Sequence, residues 1–425
     1  MNQEAEMILD LRHIDWDEKL WSRFVKRIKK KIHLAENDEM GILSIQTLRK
    51  RTPFETQVLV KGFLSEYLDQ YAPLQIVLGD VGETQKKLPL VPKTDSDTYL
   101  FYSTRLAMLQ TDATTAEHLK KFFLDLRLFY NKNYSNFLFF EEDLEKMLHL
   151  HYKSYTDVEK EGKILDFLRG QLCRGCYVNV HLDEFYILNK DYCDERHFVH
   201  ENLIYGFDDD KREFYAYGMT TRQRTAEFTI SYEEFLLAYE KGKLFYFCGA
   251  DYLDFEGYYP IIVYGIRELE DYEFTEEVLL DKLTAFLNPS DDETVENDIH
   301  VYGKNVYQWI LQDLTGEHVR NIVDYRILHL MYEHKKCIYE RMRYLCEKKA
   351  LSEQNQTLIP EVKKIAEEFQ KIRLLYLKEL RQEGKLYSMN KVVEDSEVKK
   401  NIAEELRKIM KKEETILSRI CMPRR

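Results

Sequence analysis

The stretch that decides the fold is HENLIYGFDDD, which spans His200–Asp210. A histidine here precedes a short apolar run, Leu203–Tyr205, and the run ends in a glycine-aromatic-aspartate turn. A second β-rich run, Glu213–Tyr217, follows at once. Alternation with turn residues of this kind predicts a β-hairpin that has His200 at its entrance. Because imidazole titrates near neutral pH, His200 is the first candidate for acid–base work.

Composition limits the class of protein. The chain has 425 residues, enough for two or three domains, and 44% of them are hydrophobic. The net charge of −13 argues against a nucleic-acid binder. No apolar run approaches the ~18 residues of a membrane span, and the acidic N-terminus lacks a signal-peptide core. The seven cysteines have irregular spacing, which predicts a reducing, cytoplasmic setting without disulfides.

The periodicity divides the chain into three parts. Residues 1–85 are expected to be mostly helical, residues 94–274 to form an α+β domain, and residues 275–425 to be helical again. The cap-forming residues of Thr94–Thr98 predict that a buried helix begins there and extends to Leu109. Three further helices are predicted before the sheet, over Glu117–Phe129, Glu141–Leu150 and Glu159–Gln171.

From Tyr177 onwards apolar residues recur at every second position, which is the spacing of a β-strand. The predicted strands are Tyr177–Leu182, Leu203–Tyr205, Glu213–Tyr217, Glu227–Ile230, Leu244–Cys248 and Ile261–Tyr264. A capping box at Ser231–Glu234 predicts a helix over Phe235–Glu240. The last helices are predicted over Glu276–Leu287, Tyr302–Leu314, Val319–Lys348, Ile359–Gly384 and Val398–Ile420. This order of helices, a compact sheet and more helices is typical of α+β folds.

Four segments carry a resemblance to a known group of proteins. They are RGCYVNVHLDEFY at 174–186, HFVH followed by LIYGFD at 197–208, ISYEEF at 230–235, and YRILHLMYEHKK at 325–336. Their order resembles the butirosin-biosynthesis-H-type branch of the C39-like, papain-fold cysteine peptidase superfamily, whose members are found beside thiotemplated peptide pathways. The resemblance covers roughly residues 95–350. It implies a papain-like domain, with helices packed on a small antiparallel sheet, and helical extensions at both ends.

The resemblance also implies a set of catalytic residues. His200, with five residues between it and Gly206, matches the family's catalytic histidine. The family's nucleophile helix falls on Thr98–Leu109, where Ser103 is the candidate nucleophile because no cysteine occurs before Cys173. The family's orienting residue would fall at Tyr217-Gly218, so Asp183 is the candidate for that role. Two of the three triad positions therefore depart from the family pattern.

Each of these residues also has a structural interpretation. Ser103 sits in an apolar helix, where a serine commonly bonds back to the helix carbonyls. His200 would then be a hairpin histidine bonded to a neighbouring carbonyl, and Asp183 would cap the turn after its strand. His197 competes with His200 for the catalytic role.

No metal or cofactor is predicted. Cys173 and Cys176 form a CxxC without a second pair, which favours a turn at a helix end over a zinc site. His181, Asp183, His197 and His200 form an alternative metal site, since His181 and Asp183 share one side of a strand. His329 and His334, on the predicted helix after Val319, alternate with core positions and are expected to be packing or rim residues.

The expected partner is an acidic carrier protein. A basic island at Lys26, Arg27, Lys29, Lys30 and Lys31 is either a solvated helix face or a docking patch for such a partner. The resemblance implies acyl transfer or amide formation on a carrier-bound acyl or peptidyl thioester of a nonribosomal peptide pathway. The alternative is a catalytically degenerate papain-fold scaffold of such a pathway. An unrelated binding module with a tyrosine-lined groove is the third hypothesis.

Overall fold

The computed structural model describes residues 5–10, 41–46, 76–79, 83–131, 136–140, 144–247, 259–295, 298–317, 323–385 and 392–422. The chain forms two compact units, each assembled from separate segments. The first combines residues up to Pro89 with His149–Thr220 and Ala226–Gly265. The second combines Leu90–Leu148, Thr221–Thr225 and Ile266–Arg425. This division differs from the three consecutive parts expected at residues 1–85, 94–274 and 275–425.

Fourteen strands lie in the described part of the chain. They are β1 Ala5–Asp10, β2 Gly41–Gln46, β3 Ile76–Gly79, β4 Gln85–Lys87, β5 Leu126–Asn131, β6 Asn136–Phe140, β7 Leu148–Lys153, β8 Tyr177–Asp183, β9 Val199–Asp208, β10 Glu213–Thr220, β11 Arg224–Ser231, β12 Ile261–Ile266, β13 Glu293–Val295 and β14 Asp298–Tyr302.

Eleven α-helices lie in the same described ranges. They are α1 Leu100–Leu109, α2 Ala113–His118, α3 Tyr155–Glu161, α4 Ile164–Cys173, α5 Tyr232–Phe247, α6 Glu276–Leu287, α7 Val306–Thr315, α8 Tyr325–Glu347, α9 Glu353–Gln356, α10 Ile359–Gln382 and α11 Ser396–Ile420. No described helix combines the length and the apolar character that crossing a bilayer demands. The mixture of helices with largely antiparallel sheets is an α+β structure, as the sequence predicts.

The predicted hairpin forms the centre of the first unit. β9 pairs antiparallel with β10 on one side and with β8 on the other, within a sheet of order β11-β10-β9-β8-β12-β7. β8 is buried along its whole length, including the polar side chains of Asn179, His181 and Asp183 that alternate with its apolar ones. The hairpin and the strands predicted near residues 177, 203, 213, 227 and 261 are therefore confirmed.

One glycine lets a further strand join this sheet. β8 pairs with β9 only as far as Ile204, and β4 pairs with the remaining residues, Gly206–Asp208. A Cβ atom at Gly206 would lie 2.5 Å from the Lys86 carbonyl oxygen and 2.8 Å from the Tyr215 ring. Only glycine fits where the backbone of β4 approaches so closely.

Residues 1–85 are expected to be mostly helical, and most of them lie outside the described residues; the described stretches at 5–10, 41–46 and 76–79 are strands. β1, β2 and β3 form a parallel three-stranded sheet in which β2 is central. The cores of these strands are short apolar runs such as Met7–Leu9 and Ile76–Leu78. Periodicity alone cannot distinguish a short buried strand from a piece of buried helix, which accounts for the difference.

The single helix predicted over Glu159–Gln171 is wrong, because Gly162 adopts a φ of 131° and separates α3 from α4. Three other predictions give the wrong type or length of element. The capping box at Ser231 does open a helix, but α5 continues to Phe247 through the strand predicted from Leu244. The helix predicted over Glu117–Phe129 ends early, because Phe123 adopts a positive φ of 65° and β5 follows. The described part of Glu141–Leu150 is a 3₁₀ turn followed by β7. In each case a run of aromatic and aliphatic residues fitted both periods.

Helices dominate the second unit. α8 packs along α10 and against β6, while α11 packs on α7, α10 and α6. Beside them, β13, β14, β5 and β6 form an antiparallel sheet in that order. The helices predicted after residue 275 are confirmed, although Tyr302, the predicted start of one of them, ends β14 and the helix begins at Val306. The strands β13 and β14 and the short helix α9 were not predicted.

We expect Gly206→Ala to destabilise the first unit by about 1–3 kcal/mol, because the new methyl group would displace the backbone of β4. Gly265→Ala, in β12, is the matched control, since a Cβ there meets only His149 at 3.5 Å or more. Urea unfolding of both variants measures the difference. Equal midpoints for the two variants would contradict the steric explanation.

Candidate functional site

Asp183, the predicted orienting residue, lies buried at the end of β8. One carboxylate oxygen accepts hydrogen bonds from the backbone N–H groups of Phe185 and Phe198 at 3.2 and 3.1 Å. The other lies 2.7 Å from Nδ1 of His197. Asp183 therefore both caps the following turn and orients an imidazole, and that imidazole belongs to His197 rather than to His200.

His200, the predicted base, pairs with the next acidic residue instead. Its Nδ1 lies 3.3 Å from Oε1 of Glu184, a carboxylate that is almost completely buried. The His200 side chain keeps 22% of its surface exposed. A buried carboxylate beside Nδ1 fixes the orientation of the ring, as in histidine–carboxylate pairs of hydrolases.

A buried lysine holds Glu184 in place. Nζ of Lys190 lies 3.1 Å from Glu184 Oε1, donates a hydrogen bond to the Met219 carbonyl and lies 4.6 Å from the centre of the Phe228 ring. Burial opposes the charge of Glu184, but Lys190 and His200 outweigh it and lower the pKa of this carboxyl. Burial likewise lowers the pKa of Lys190, despite the nearby carboxylate.

The alternative metal site is not assembled. His181 is buried and its Nδ1 lies 3.2 Å from the Pro260 carbonyl, while burial and the proximity of His200 lower its pKa to about 3. Within the described ranges, the one group with ligand atoms close enough to hold a metal is Asp97, His329 and Glu333. His181, Asp183, His197 and His200 do not form such a cluster there.

Ser103, the candidate nucleophile, has the structural role that the sequence analysis left open. It is fully buried on α1, and its hydroxyl donates to the Leu100 carbonyl at 3.1 Å. Ser103 belongs to the second unit, whereas His200, Asp183 and Glu184 belong to the first.

The segment predicted to cap α1 is itself bound by a glutamate. α1 begins after Tyr99 without a side-chain cap, so the predicted cap is wrong. The Glu333 carboxylate instead accepts four hydrogen bonds, from the hydroxyls of Ser96 and Thr98 and from the backbone N–H groups of Asp97 and Thr98. His329, expected to be a packing or rim residue, lies 2.6 Å from Asp97 and 3.3 Å from Glu333.

The hydrogen bonds of Glu333 bear on whether this group could bind a metal. Two donors reach Oε1 and two reach Oε2, which occupies the lone pairs of both oxygens. The His329 Nε2 that would have to bind the metal is hydrogen-bonded to Asp97. We therefore interpret the group as a clamp on residues 96–98 and not as a metal centre.

The second unit buries another ion pair that the sequence analysis did not single out. Nζ of Lys335 lies 2.7 Å from Oε1 of Glu413 and donates hydrogen bonds to the Tyr307 hydroxyl and to Nδ1 of His334. The Tyr307 hydroxyl in turn donates to Oε2 of Glu413. Burial lowers the pKa of Lys335 and, together with this lysine, lowers the pKa of His334 well below its usual value.

A sequence signal for this pair does exist. Lys335 occupies a position on the apolar face of α8, in register with Met331, Ile338 and Met342. Glu413 occupies the equivalent kind of position on α11, among the buried residues Ile409 and Ile416. A lone lysine and a lone glutamate on the apolar faces of two amphipathic helices predict a buried ion pair.

The CxxC cysteines and the basic island are the two remaining features that the sequence analysis singled out. Cys173 is the last residue of α4 and Cys176 follows the turn after it, where Gly175 adopts a φ of +81°, and the two do not form a disulfide. Burial raises the pKa of Cys176. The basic island at residues 26–31 lies outside the described residues.

A comparison of the chain with models of known protein families and with curated proteins finds no match.

The contributions of Lys190 and Glu184 to the stability of the first unit are expected to depend on each other. Lys190→Met should destabilise the first unit by about 3–5 kcal/mol, because it leaves a buried carboxylate without its cation. Combining it with Glu184→Gln should cost less than the sum of the two single changes. Chemical unfolding of the three variants measures the coupling. Arg212→Gln, which removes an exposed pair with Glu233, is the control and should change the unfolding midpoint little. Strict additivity would show that the pair contributes no coupling.

The Glu333 clamp should make stability depend on pH. Burial opposes the charge of His329, but hydrogen bonds to Asp97 and Glu333 raise its pKa above 6.5. The contribution of protonated His329 to the free energy of unfolding is therefore fully present below pH 6.5 and is lost as the pH rises through the raised pKa. The hydrogen bond to His329 lowers the pKa of Asp97 from 3.8 to about 2. The stability that the Asp97 carboxylate contributes is therefore present above pH 3.8 and is lost as the pH falls from 3.8 to about 2.

Melting temperatures between pH 3 and 10 test the clamp. The wild-type protein should lose stability above pH 6.5 relative to His329→Gln, which removes the titrating group. Parallel curves for the two proteins across this range would exclude a contribution from His329.

Proposed function

We propose that this protein transfers an acyl group from a carrier-protein thioester to an acceptor amine, with His200 as the general base. The observation that carries the proposal is the chain of contacts from His200 to Glu184 and Lys190. It supplies a partly exposed imidazole with a buried carboxylate that orients it. We also propose that the fold is papain-like, as the order of the four resembling segments implies.

The chemistry does not require a nucleophile on the protein. The acceptor amine attacks the thioester carbonyl carbon and gives a proton to His200, and the carbon–sulfur bond then breaks. The protonated His200 returns the proton to the departing thiolate, which yields an amide and a free thiol. Glu184 favours this cycle because its buried carboxylate holds the ring in one orientation through both proton transfers. This direct route fits a chain whose candidate nucleophile, Ser103, is bonded to its own helix.

His200 is preferred over His197 for the base. His197 is held at 2.7 Å by Asp183 and lies flat against the Phe185 ring, 4.5 Å between centres. Its side chain is 48% exposed, so water competes with a substrate for the ring. His200 is more enclosed, and a less hydrated site strengthens the electrostatic effect of Glu184.

A catalytically degenerate scaffold remains the second candidate. It is favoured by the lack of any cysteine before Cys173 and by the helix-bonded Ser103. Such a protein would bind an acidic carrier protein without turning over its thioester. The basic residues at 26–31 would serve either function as the docking patch.

The experiment uses acyl groups loaded on a phosphopantetheinylated carrier protein, with a panel of amines as acceptors. Release of the carrier thiol is followed with a thiol reagent, and the amide is followed by mass spectrometry. His200→Ala should lower turnover by roughly 10²-fold or more, whereas Glu184→Gln should lower it less. His118→Gln, which changes a histidine of the second unit, is the control for general effects.

Intact-protein mass spectrometry distinguishes the routes. Direct transfer predicts no acyl–protein adduct during turnover, and Ser103→Ala should keep its activity. An adduct that disappears with Ser103→Ala would establish the covalent route instead. Carrier binding with no thiol release from any amine, unchanged by His200→Ala, would establish the scaffold.

A further inference from the structure

A cleft of about 500 Å³ opens within the second unit beside the buried Lys335–Glu413 pair. Its walls are α7 and α11, and the end of α6 closes one side. The apolar lining is provided by Phe286, Leu287, Leu311 and Met410. Small-molecule sites are typically concave, mostly apolar and of this size, with a few polar groups that fix orientation.

The inner end of the cleft is polar, but its one charged group, Glu413, already has a cationic partner within the protein. Tyr307 and Glu413 both line it, and both are buried. Lys335, which lies behind them, is 1% exposed and compensates the charge of Glu413. The inner end therefore carries no net charge that a ligand would have to match.

The charges at the rim are unequal. Lys304 pairs with Glu414 at 2.6 Å, so these two lining residues cancel. Arg407 and Lys411 also line the cleft, one helical turn apart on α11, and the described residues include no ion-pair partner for either. Glu317 is the one other acidic lining residue.

The neighbouring cations of the same helix behave differently. Lys408 pairs with Glu405 at 2.6 Å, and Lys412 pairs with Glu368 at 3.1 Å. Like charges at positions i and i+4 repel each other on a helix, so Arg407 and Lys411 disfavour the helix unless an anion binds between them. Arg407 and Lys411 thus differ from the cations beside them in having no carboxylate partner among the described residues, a property that they share with Lys399 and Lys400 nearer the start of the helix, and they line the cleft.

We propose that this cleft binds a small amphipathic anion, whose apolar chain lies against Leu311 and Met410 and whose head group contacts Arg407 and Lys411. The head group is a carboxylate or a phosphate, since both accept charge-assisted hydrogen bonds from a guanidinium and an ammonium. The site lies apart in sequence from His200 and does not depend on the proposed acyl transfer.

Isothermal titration calorimetry on the full-length protein tests this site with decanoate, decyl phosphate and decanol, each below its micelle-forming concentration. The two anions should bind saturably with one site per chain, and decanol should bind about tenfold or more weakly. The stronger of the two anions identifies the head group.

Variants locate the binding site. Arg407→Gln combined with Lys411→Gln should weaken binding of the stronger anion about tenfold or more and reduce its preference over decanol. Lys408→Gln, one position away on the same helix, is the matched control and should bind as the wild type does. Leu311→Trp should fill the cleft and abolish binding of all three compounds, with circular dichroism confirming the fold.

Two results would overturn the proposal. One is the lack of saturable binding of either anion to the wild-type protein at millimolar concentration. The other is equal affinity for decanol and decanoate together with indifference to the Arg407 and Lys411 changes. Because no acyl transfer is measured, these results are independent of whether His200 is catalytic.

Discussion

The candidate active site depends on a lysine ammonium that water does not reach. Lys190 is buried in the first unit, and an unpaired charge there would cost several kcal/mol. Glu184 compensates it, and this leaves one well-defined position for the carboxylate that meets His200. The geometry of the imidazole is thus a consequence of charge neutralisation in the core.

Two consecutive acidic residues serve two different histidines. Asp183 and Glu184 follow each other, but Asp183 is the last residue of β8 and Glu184 is the first residue of the 3₁₀ turn after it, where the backbone changes direction. Asp183 therefore holds His197, and Glu184 holds His200. One chain segment positions two imidazoles with different exposure, and the more enclosed of them is the better candidate for acid–base chemistry.

The sequence was sufficient for elements whose signals are local. The hairpin after His200, the capping box at Ser231 and the long helices near the C-terminus depend on neighbouring residues, and these predictions hold. The predictions failed where short aromatic or aliphatic runs fit either period, as at Leu244 and near Phe129.

The site was harder to predict because its contacts are set by register and by pairing over long distances. The sequence made Asp183 the candidate to orient His200, but a shift of one residue decides which carboxylate reaches which ring, and Glu184 is the one that does. Lys335 and Glu413 are separated by nearly eighty positions in the chain, so only their apolar surroundings indicate that they are buried.

The way in which β4 completes the sheet has a consequence for how the chain can be shortened. β8 leaves Gly206–Asp208 unpaired on one side, and the backbone of Gln85–Lys87 fills that side. A chain that began after Lys87 would expose these peptide groups as a short open edge in the middle of a tyrosine- and phenylalanine-rich sheet. Open edges recruit strands from other molecules, so such a fragment is expected to aggregate even though His200, Glu184 and Lys190 are all retained.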